Sequence, residues 1–264
     1  MNVTVLKLGG ELIEAQQDLA RTADAVAALA RDLSHRATTL VIVHGGGRAI
    51  DAELARRGLT PDKRDGIRVT DEATLDAVVA VLAGTANTTL VAALGARGVR
   101  AVGLTGADAG LAWCERVTAM ETNSGAVVDP GLVGRPIGGG DRRLLTDLCA
   151  AGYVPVIASI GATSGGAGEL LNVNADVMAA HVASIVGAER LIVAGGTPGV
   201  LDSAGRRIDA LDSHALQSML DAGTATAGMM AKLRACQSAR EAGVADVRIV
   251  DGRSAGFEQG TALR

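Results

Sequence analysis

The chain has 264 residues, 48% hydrophobic and 20% charged, with a formal net charge of −4 and an isoelectric point of about 5.6. That composition excludes a disordered polymer and leaves room for one large α/β unit or two lobes. Lys and Arg form no long run, and Trp113, Tyr153 and Phe257 are the only aromatics, so no nucleic-acid partner is expected.

Residues 3–8 form an apolar, β-branched run closed by Gly9-Gly10, which reads as a strand. Residues 18–35 carry apolar side chains at helical spacing. A second strand, 40–43, runs into Val-His-Gly-Gly-Gly at 43–47, and a polar helix follows over 48–57. Strand, glycine turn and helix together leave free N–H groups and the positive end of a helix dipole at 45–47, a cradle for a phosphate or a carboxylate. Residues 61–66 read as a projecting loop or hairpin. Helices are expected at 71–82 and 86–97, separated at Gly84, and a third core strand at 99–104. The glycine- and proline-rich stretch 112–140 reads as hairpins and loops on the substrate side.

A helix at 142–151 and a strand at 153–160 come next, then a flexible turn at 161–168 and a short strand at 170–173. Residues 176–187 read as a helix with Asp176 as its N-cap. A strand at 190–194 and a Gly-Gly-Thr-Pro-Gly turn lead to helices at 213–222 and 229–242, with 247–250 as the closing strand. This alternation predicts an α/β protein, a single open and mainly parallel sheet sandwiched between helices, with ligands at the carboxyl ends of the strands.

Cys114, Cys149 and Cys236 are isolated and lack CxxC spacing, which argues against a disulfide framework and a zinc site and fits a reducing cytosol. The first residues make a poor signal peptide, and the uncharged segment 148–168 is broken by glycines and Pro155. A cytoplasmic protein without a membrane span is expected.

Few residues stand out as chemistry. Lys7 sits inside an apolar strand, where an ammonium is costly unless it meets an anion, or else snorkels from an edge strand. Lys232 follows Gly228 in what reads as the first turn of a helix, where a cation is unfavourable without a negative partner. Asn172, Asn174 and Asp176 alternate into a helix start, as turn and cap residues or as substrate and lysine contacts. Arg68 could clamp a carboxylate or could be a solvated loop residue. His44 reads as structural, and no His, Cys or Ser constellation suggests a metal site or a nucleophile.

Taken in order, Lys-Leu-Gly-Gly at 7–10, Val-His-Gly-Gly-Gly at 43–47, Gly-Ile-Arg-Val-Thr-Asp at 66–71, Leu-Ala-Gly-Thr-Ala-Asn at 82–87, Asn-Val-Asn-Ala-Asp at 172–176 and Gly-Met-Met-Ala-Lys at 228–232 resemble the signatures of acetylglutamate kinases, of the amino acid kinase superfamily. The resemblance runs from the first strand nearly to the last. It implies ATP- and Mg²⁺-dependent phosphorylation of the side-chain carboxylate of N-acetyl-L-glutamate, an early step of arginine biosynthesis.

It further implies that Lys7 and Lys232 stabilise the transferring phosphoryl group and that Asp176 holds the two lysines. Gly9, Gly10, Gly45 and Gly46 would present N–H groups to the phosphates, while Gly46, Gly47, Arg68, Asn172 and Asn174 would contact the acetylglutamate. Magnesium would arrive with ATP, with no protein metal site. By the same resemblance residues 1–175 form the substrate lobe with a dimer interface, and 176–264 the nucleotide lobe. The first strand starts at Val3, leaving no room for the extra N-terminal helix of arginine-inhibited relatives, so an arginine-insensitive homodimer is expected.

Two departures stand out. Ala194-Gly195-Gly196 and Thr197–Val200 replace a Leu-Thr-Asp run before Gly-Val, and Ala231 stands where proline is common. Two rivals remain within the fold: a kinase of carrier-protein-linked aminoadipate or glutamate, using Lys63, Arg64, Arg142 and Arg143 to receive an acidic carrier, and a non-catalytic ligand sensor. A dehydrogenase is excluded by the lack of GxGxxG in a first βαβ unit.

Overall fold

The computed structural model describes residues 2–122, 125–223 and 226–264; the parts of the expected 112–140 loops at Asn123 and Ser124, and of the turn before the last helix at Thr224 and Ala225, lie outside the described residues, as does Met1. Strands β1 (Asn2–Leu8), β2 (Thr38–His44), β3 (Ala101–Thr105), β4 (Val154–Ala158), β5 (Arg190–Gly195), β6 (Ala210–Leu211), β7 (Asp246–Asp251) and β8 (Gly260–Leu263) make one sheet, in the order β6-β8-β7-β5-β1-β2-β4-β3. Neighbours are parallel except β7 and β8.

The helices are α1 (Gln16–His35), α2 (Gly47–Arg56), α3 (Glu72–Gly95), α4 (Arg143–Ala150), α5 (Ala175–Val186), α6 (Ser213–Ala222) and α7 (Ala227–Glu241). Side chains alternate across a strand, so Val3 and Val5 join one core with α4, α5, α6 and α7, while Leu6 and Leu8 join the other with α1 and the end of α3. Lys7 therefore lies on the face that α5 covers. β1 also stands where chain order reverses, with β2 on one side and β5 on the other, the usual place for a ligand in such sheets.

Several expected elements change. Residues 99–104 were expected as a third core strand, but β3 is the edge strand of the sheet and is only half-buried. The closing strand is β8 rather than β7; β6 and β8 are short and lack a β-branched run, which hid them from pattern reading. The expected 161–168 turn is narrower, because Ile160–Ala162 pairs with Leu170–Asn172.

Gly84 does not separate two helices. α3 is one helix of 24 residues whose Ala80–Ala86 segment is π-helical. The wider turn slips the buried face: Ala77, Val78, Val81 and Leu82 are followed, five positions on, by Asn87, then Leu90 and Leu94. α3 is long and apolar enough to cross a membrane by length and composition alone, and these residues pack it into the molecule. Cys114, Cys149 and Cys236 are free and buried.

Candidate active site

The carboxyl ends of β1 and β2 and the start of α5 enclose a cavity of about 530 Å³. Lys7 comes from β1, with its Nζ 2.8 Å from Asp176 Oδ1 on α5. Lys232 Nζ, from α7, lies 3.5 Å from the other carboxylate oxygen, Asp176 Oδ2. Lys7 is 4% exposed and Asp176 5%, so both charges are withdrawn from water. Burial pushes the Asp176 carboxyl up, but the Lys7 and Lys232 charges outweigh it and hold the group below its ordinary value. The three residues, 225 positions apart at the extremes, form one chain of charge with two cations to one anion.

The N-cap of α5 is Asn174, not Asp176: Asn174 Oδ1 accepts from Asp176 N at 2.8 Å and from Val177 N at 3.2 Å. That capping bond commits the oxygen of Asn174, which was expected to bind substrate, and frees the Asp176 carboxylate to face the lysines. Lys232 is likewise one turn deeper than expected, because α7 starts at Ala227 with Thr226 as cap. Its ammonium reaches Asp176 rather than sitting at the helix end.

The glycine turns are less free than their sequence suggests. Gly9 N–H donates to Ala194 O at 3.0 Å and Gly45 N–H to Leu8 O at 3.3 Å, so neither is available to a phosphate in this arrangement. Gly10, Gly46 and Gly47 keep N–H groups without a partner among the described residues. The next two, Arg48 N–H and Ala49 N–H, both donate to Glu14 Oε1, at 3.1 and 3.2 Å. The anion at the start of α2 is thus the chain's own Glu14, and the cradle is narrowed to Gly46 and Gly47, facing Gly10. A Cβ on Gly10 would stand 2.9 Å from Gly46 Cα, which is why the two turns can touch only as glycines.

Arg68 and Asn172 line the same cavity. Arg68 stands on a hairpin, Lys63–Arg64 against Ile67–Arg68, at the site expected to project. Its Nη2 donates to Gly47 O at 3.0 Å and is 2.6 Å from Asp51 Oδ1, while Nη1 is buried with no partner. Asn172 Nδ2 donates to Thr70 Oγ1 at 3.1 Å. Thr70 in turn is clasped by backbone bonds to Pro130 O at 2.9 Å and from Leu132 N at 2.6 Å. The Arg-Val-Thr-Asp stretch is therefore a splice between the hairpin, α3, which Asp71 caps, and the loops before Asn172.

His44 is fully buried without facing the cavity. Nδ1–H donates to Gly45 O at 3.1 Å, leaving Nε2 to accept from Asn87 Nδ2 at 3.0 Å; the other Asn87 N–H goes to Val156 O at 2.9 Å. Burial pulls the imidazole pKa down to about 4, so it stays neutral.

Sequence reasoning missed Glu11, Asp51, Ser159 and the role of Lys63. Glu11 Oε1 accepts from Gly196 N at 2.8 Å, taking the backbone donor of the glycine turn that replaces Leu-Thr-Asp. Burial raises its carboxyl, and backbone N–H groups with the Lys7 and Lys232 charges more than offset this, leaving the group below its ordinary value. The one available signal was its place directly after Gly9-Gly10. Arg142 and Arg143, by contrast, border a separate depression on 139–143 and α5, not this cavity.

A lysine–aspartate–lysine chain, buried at Lys7 and Asp176 and half-buried at Lys232, beside paired glycine turns is an arrangement for positioning anions. The family model for the amino acid kinase family matches residues 2–251. Acetylglutamate kinase of Methanopyrus kandleri is 38% identical over 250 residues, 94% of either chain, and that of Symbiobacterium thermophilum 39% identical over 256 residues, 94% of this chain and 84% of the relative. The chain belongs to the amino acid kinase family, within its acetylglutamate kinase group. The crystal structure of smu.665 from Streptococcus mutans UA159 superposes with a TM-score of 0.80 at 26% identity, covering 99% of this chain and 98% of that one. The cavity wall carries the buried Lys7 and Arg68 cations and the Gly10, Gly46 and Gly47 turns.

Proposed function

We propose that this chain transfers the terminal phosphoryl group of ATP to the side-chain carboxylate of N-acetyl-L-glutamate, giving an acyl phosphate and ADP, the early arginine-biosynthesis step that the names of its relatives denote. A substrate carboxylate oxygen forms the new bond to phosphorus, and the bridging oxygen leaves with ADP. The nucleophile is already ionised, so no general base is needed. The barrier is the approach of two anions, met by positioning and charge stabilisation. Lys7 and Lys232 face the transferring group, Asp176 fixes both ammonium groups, and the Gly10, Gly46 and Gly47 N–H groups surround it.

No cluster of three or more His, Cys, Asp or Glu that could cage a metal exists among the described residues. Mg²⁺ carried on phosphates needs only one or two protein carboxylates; of the two on this cavity Asp176 is committed to the lysines, and Glu11 is the one that would hold the ion. The ion would neutralise phosphate charge.

Residues 1–175 make the acetylglutamate side and 176–264 the nucleotide side. The chain acts as a homodimer through its first half, where α3 and the edge strand β3 stay part-exposed and apolar. The observation that carries the catalytic reading is Asp176 on the cavity wall, shared by two lysines. The test is ATP consumption with acetylglutamate, glutamate and aminoadipate side by side, with Mg²⁺ present. Turnover of acetylglutamate alone is expected, and turnover of none would favour a ligand sensor. The carrier-linked alternative loses support from Arg142 and Arg143, which lie away from the cavity.

A further inference from the structure

Asp51 lies on α2, outside the lining of the cavity, yet it touches two of the cations that line it, Lys63 and Arg68. Its Oδ1 is 2.6 Å from Arg68 Nη2 and its Oδ2 is 2.6 Å from Lys63 Nζ. Burial raises its carboxyl, and the bonds to Lys63 and Arg68 outweigh that, so it stays ionised below its ordinary value. Arg68 is thereby gripped on one nitrogen only. Nη2 is held by Asp51 and Gly47 O, and Nη1 is left buried and unpartnered in a side chain 6% exposed.

A buried donor without an acceptor is costly, and more so on a charged group. A guanidinium held from one side presents its remaining donors in a fixed plane, the geometry that receives a carboxylate with two parallel bonds. Lys63 adds a second charge at the same carboxylate, so the pair carries two positive charges against one negative and retains a net attraction for an anion.

We infer that Asp51 is a positioning residue for substrate recognition: it holds Arg68, with Lys63 beside it, so that Nη1 receives the non-reacting carboxylate of the acceptor. This rests on the acetylglutamate kinase reading above. It makes Asp51 the residue that demands a second carboxylate on the substrate, although it never touches the substrate itself.

The test is steady-state kinetics of wild-type enzyme, Asp51→Asn, Arg68→Ala and the double variant, with acetylglutamate and with 4-acetamidobutanoate, which lacks the second carboxylate. Asn keeps the volume and one acceptor oxygen. For Asp51→Asn the KM for acetylglutamate should rise about 10- to 100-fold. Its kcat and its KM for ATP should stay within a few-fold, and its preference for acetylglutamate over 4-acetamidobutanoate should shrink by the same factor. In the Arg68→Ala background the further loss should nearly vanish.

An unchanged KM for acetylglutamate would overturn the inference, as would additive losses in the double variant. A variant that loses its fold or its ATP affinity along with acetylglutamate affinity would make Asp51 a structural residue and overturn it equally. A wild-type enzyme inactive on acetylglutamate would instead refute the functional reading, so the two failures are distinguishable.

Discussion

A buried lysine and a half-buried one share one aspartate, and a kinase of two anions needs little more from its side chains. Removing either lysine leaves Asp176 with one partner and takes a preorganised charge from the transferring group. Lys7→Ala and Lys232→Ala should each lower kcat by about 10²–10³ in an ATP-consumption assay; near-normal turnover would take that lysine out of the mechanism.

His44 makes a different prediction. Its folded pKa, about 4, lies below the ordinary 6.5, so between those values the unfolded chain binds a proton that the native one does not. Stability is therefore complete above pH 6.5 and is lost as pH falls towards 4, by about 3 kcal/mol from this group alone. Denaturant titrations from pH 7 to 4 should show the loss, and His44→Gln should flatten it by about one proton. Retention of the full slope would assign the effect elsewhere, with His181, also lowered by burial, the next group to examine. At this scale charge in an apolar strand singled out Lys7, whereas Lys232, Asp176 and Arg68 kept alternative readings until the resemblance to acetylglutamate kinases gave them roles. The sequence did not show that Asn174 caps α5 or that Glu14 fills the start of α2. Both depend on partners brought close only by folding.

Among elements, the contact between the two glycine turns is the tightest. A methyl group on Gly10 would meet Gly46 Cα at 2.9 Å and Gly47 N at 3.1 Å, backbone atoms that cannot rotate away. Gly10→Ala should cost about 1–3 kcal/mol in urea unfolding and raise the KM for ATP. Gly47→Ala, with nothing within 4 Å of an added Cβ, should cost less stability. Equal stability for the two variants would count against the contact. The strands β1, β2 and β5 and helices α1, α5 and α6 were legible from periodicity. The slip of α3 was not, because a π-helical turn moves the buried positions by one and mimics a break at Gly84. β3 read as a core strand because an edge strand with Ala101, Val102 and Leu104 has the same apolar signature.

For the whole molecule, α3 presents Thr85, Thr88, Thr89 and Ala92 outward beside the half-buried edge strand β3. Small, weakly polar side chains on an otherwise apolar helix suit close packing against a second copy. Light scattering should give twice the chain mass, and Ala92→Arg should halve it; a mass unmoved by that change would place the interface elsewhere. The single, mainly parallel sheet and its covering helices followed from the alternation of patterns along the chain. The cavity did not, since it draws on β1, the start of α2, a hairpin and α5 at once, with Lys232 of α7 reaching its Asp176 from outside the lining.

The bond between His44 and Asn87 also constrains how this sequence can drift. Asn87 satisfies His44 Nε2 and Val156 O together, and its own presence in the sheet-facing row depends on the π-helical turn before it. Losing the amide alone would strand two buried acceptors, at about 1–3 kcal/mol each. The histidine, the asparagine and the extra residue in α3 should therefore be inherited as a set. A lineage that replaces one is expected to replace the others, and a survey of related chains in which the three vary independently would refute it.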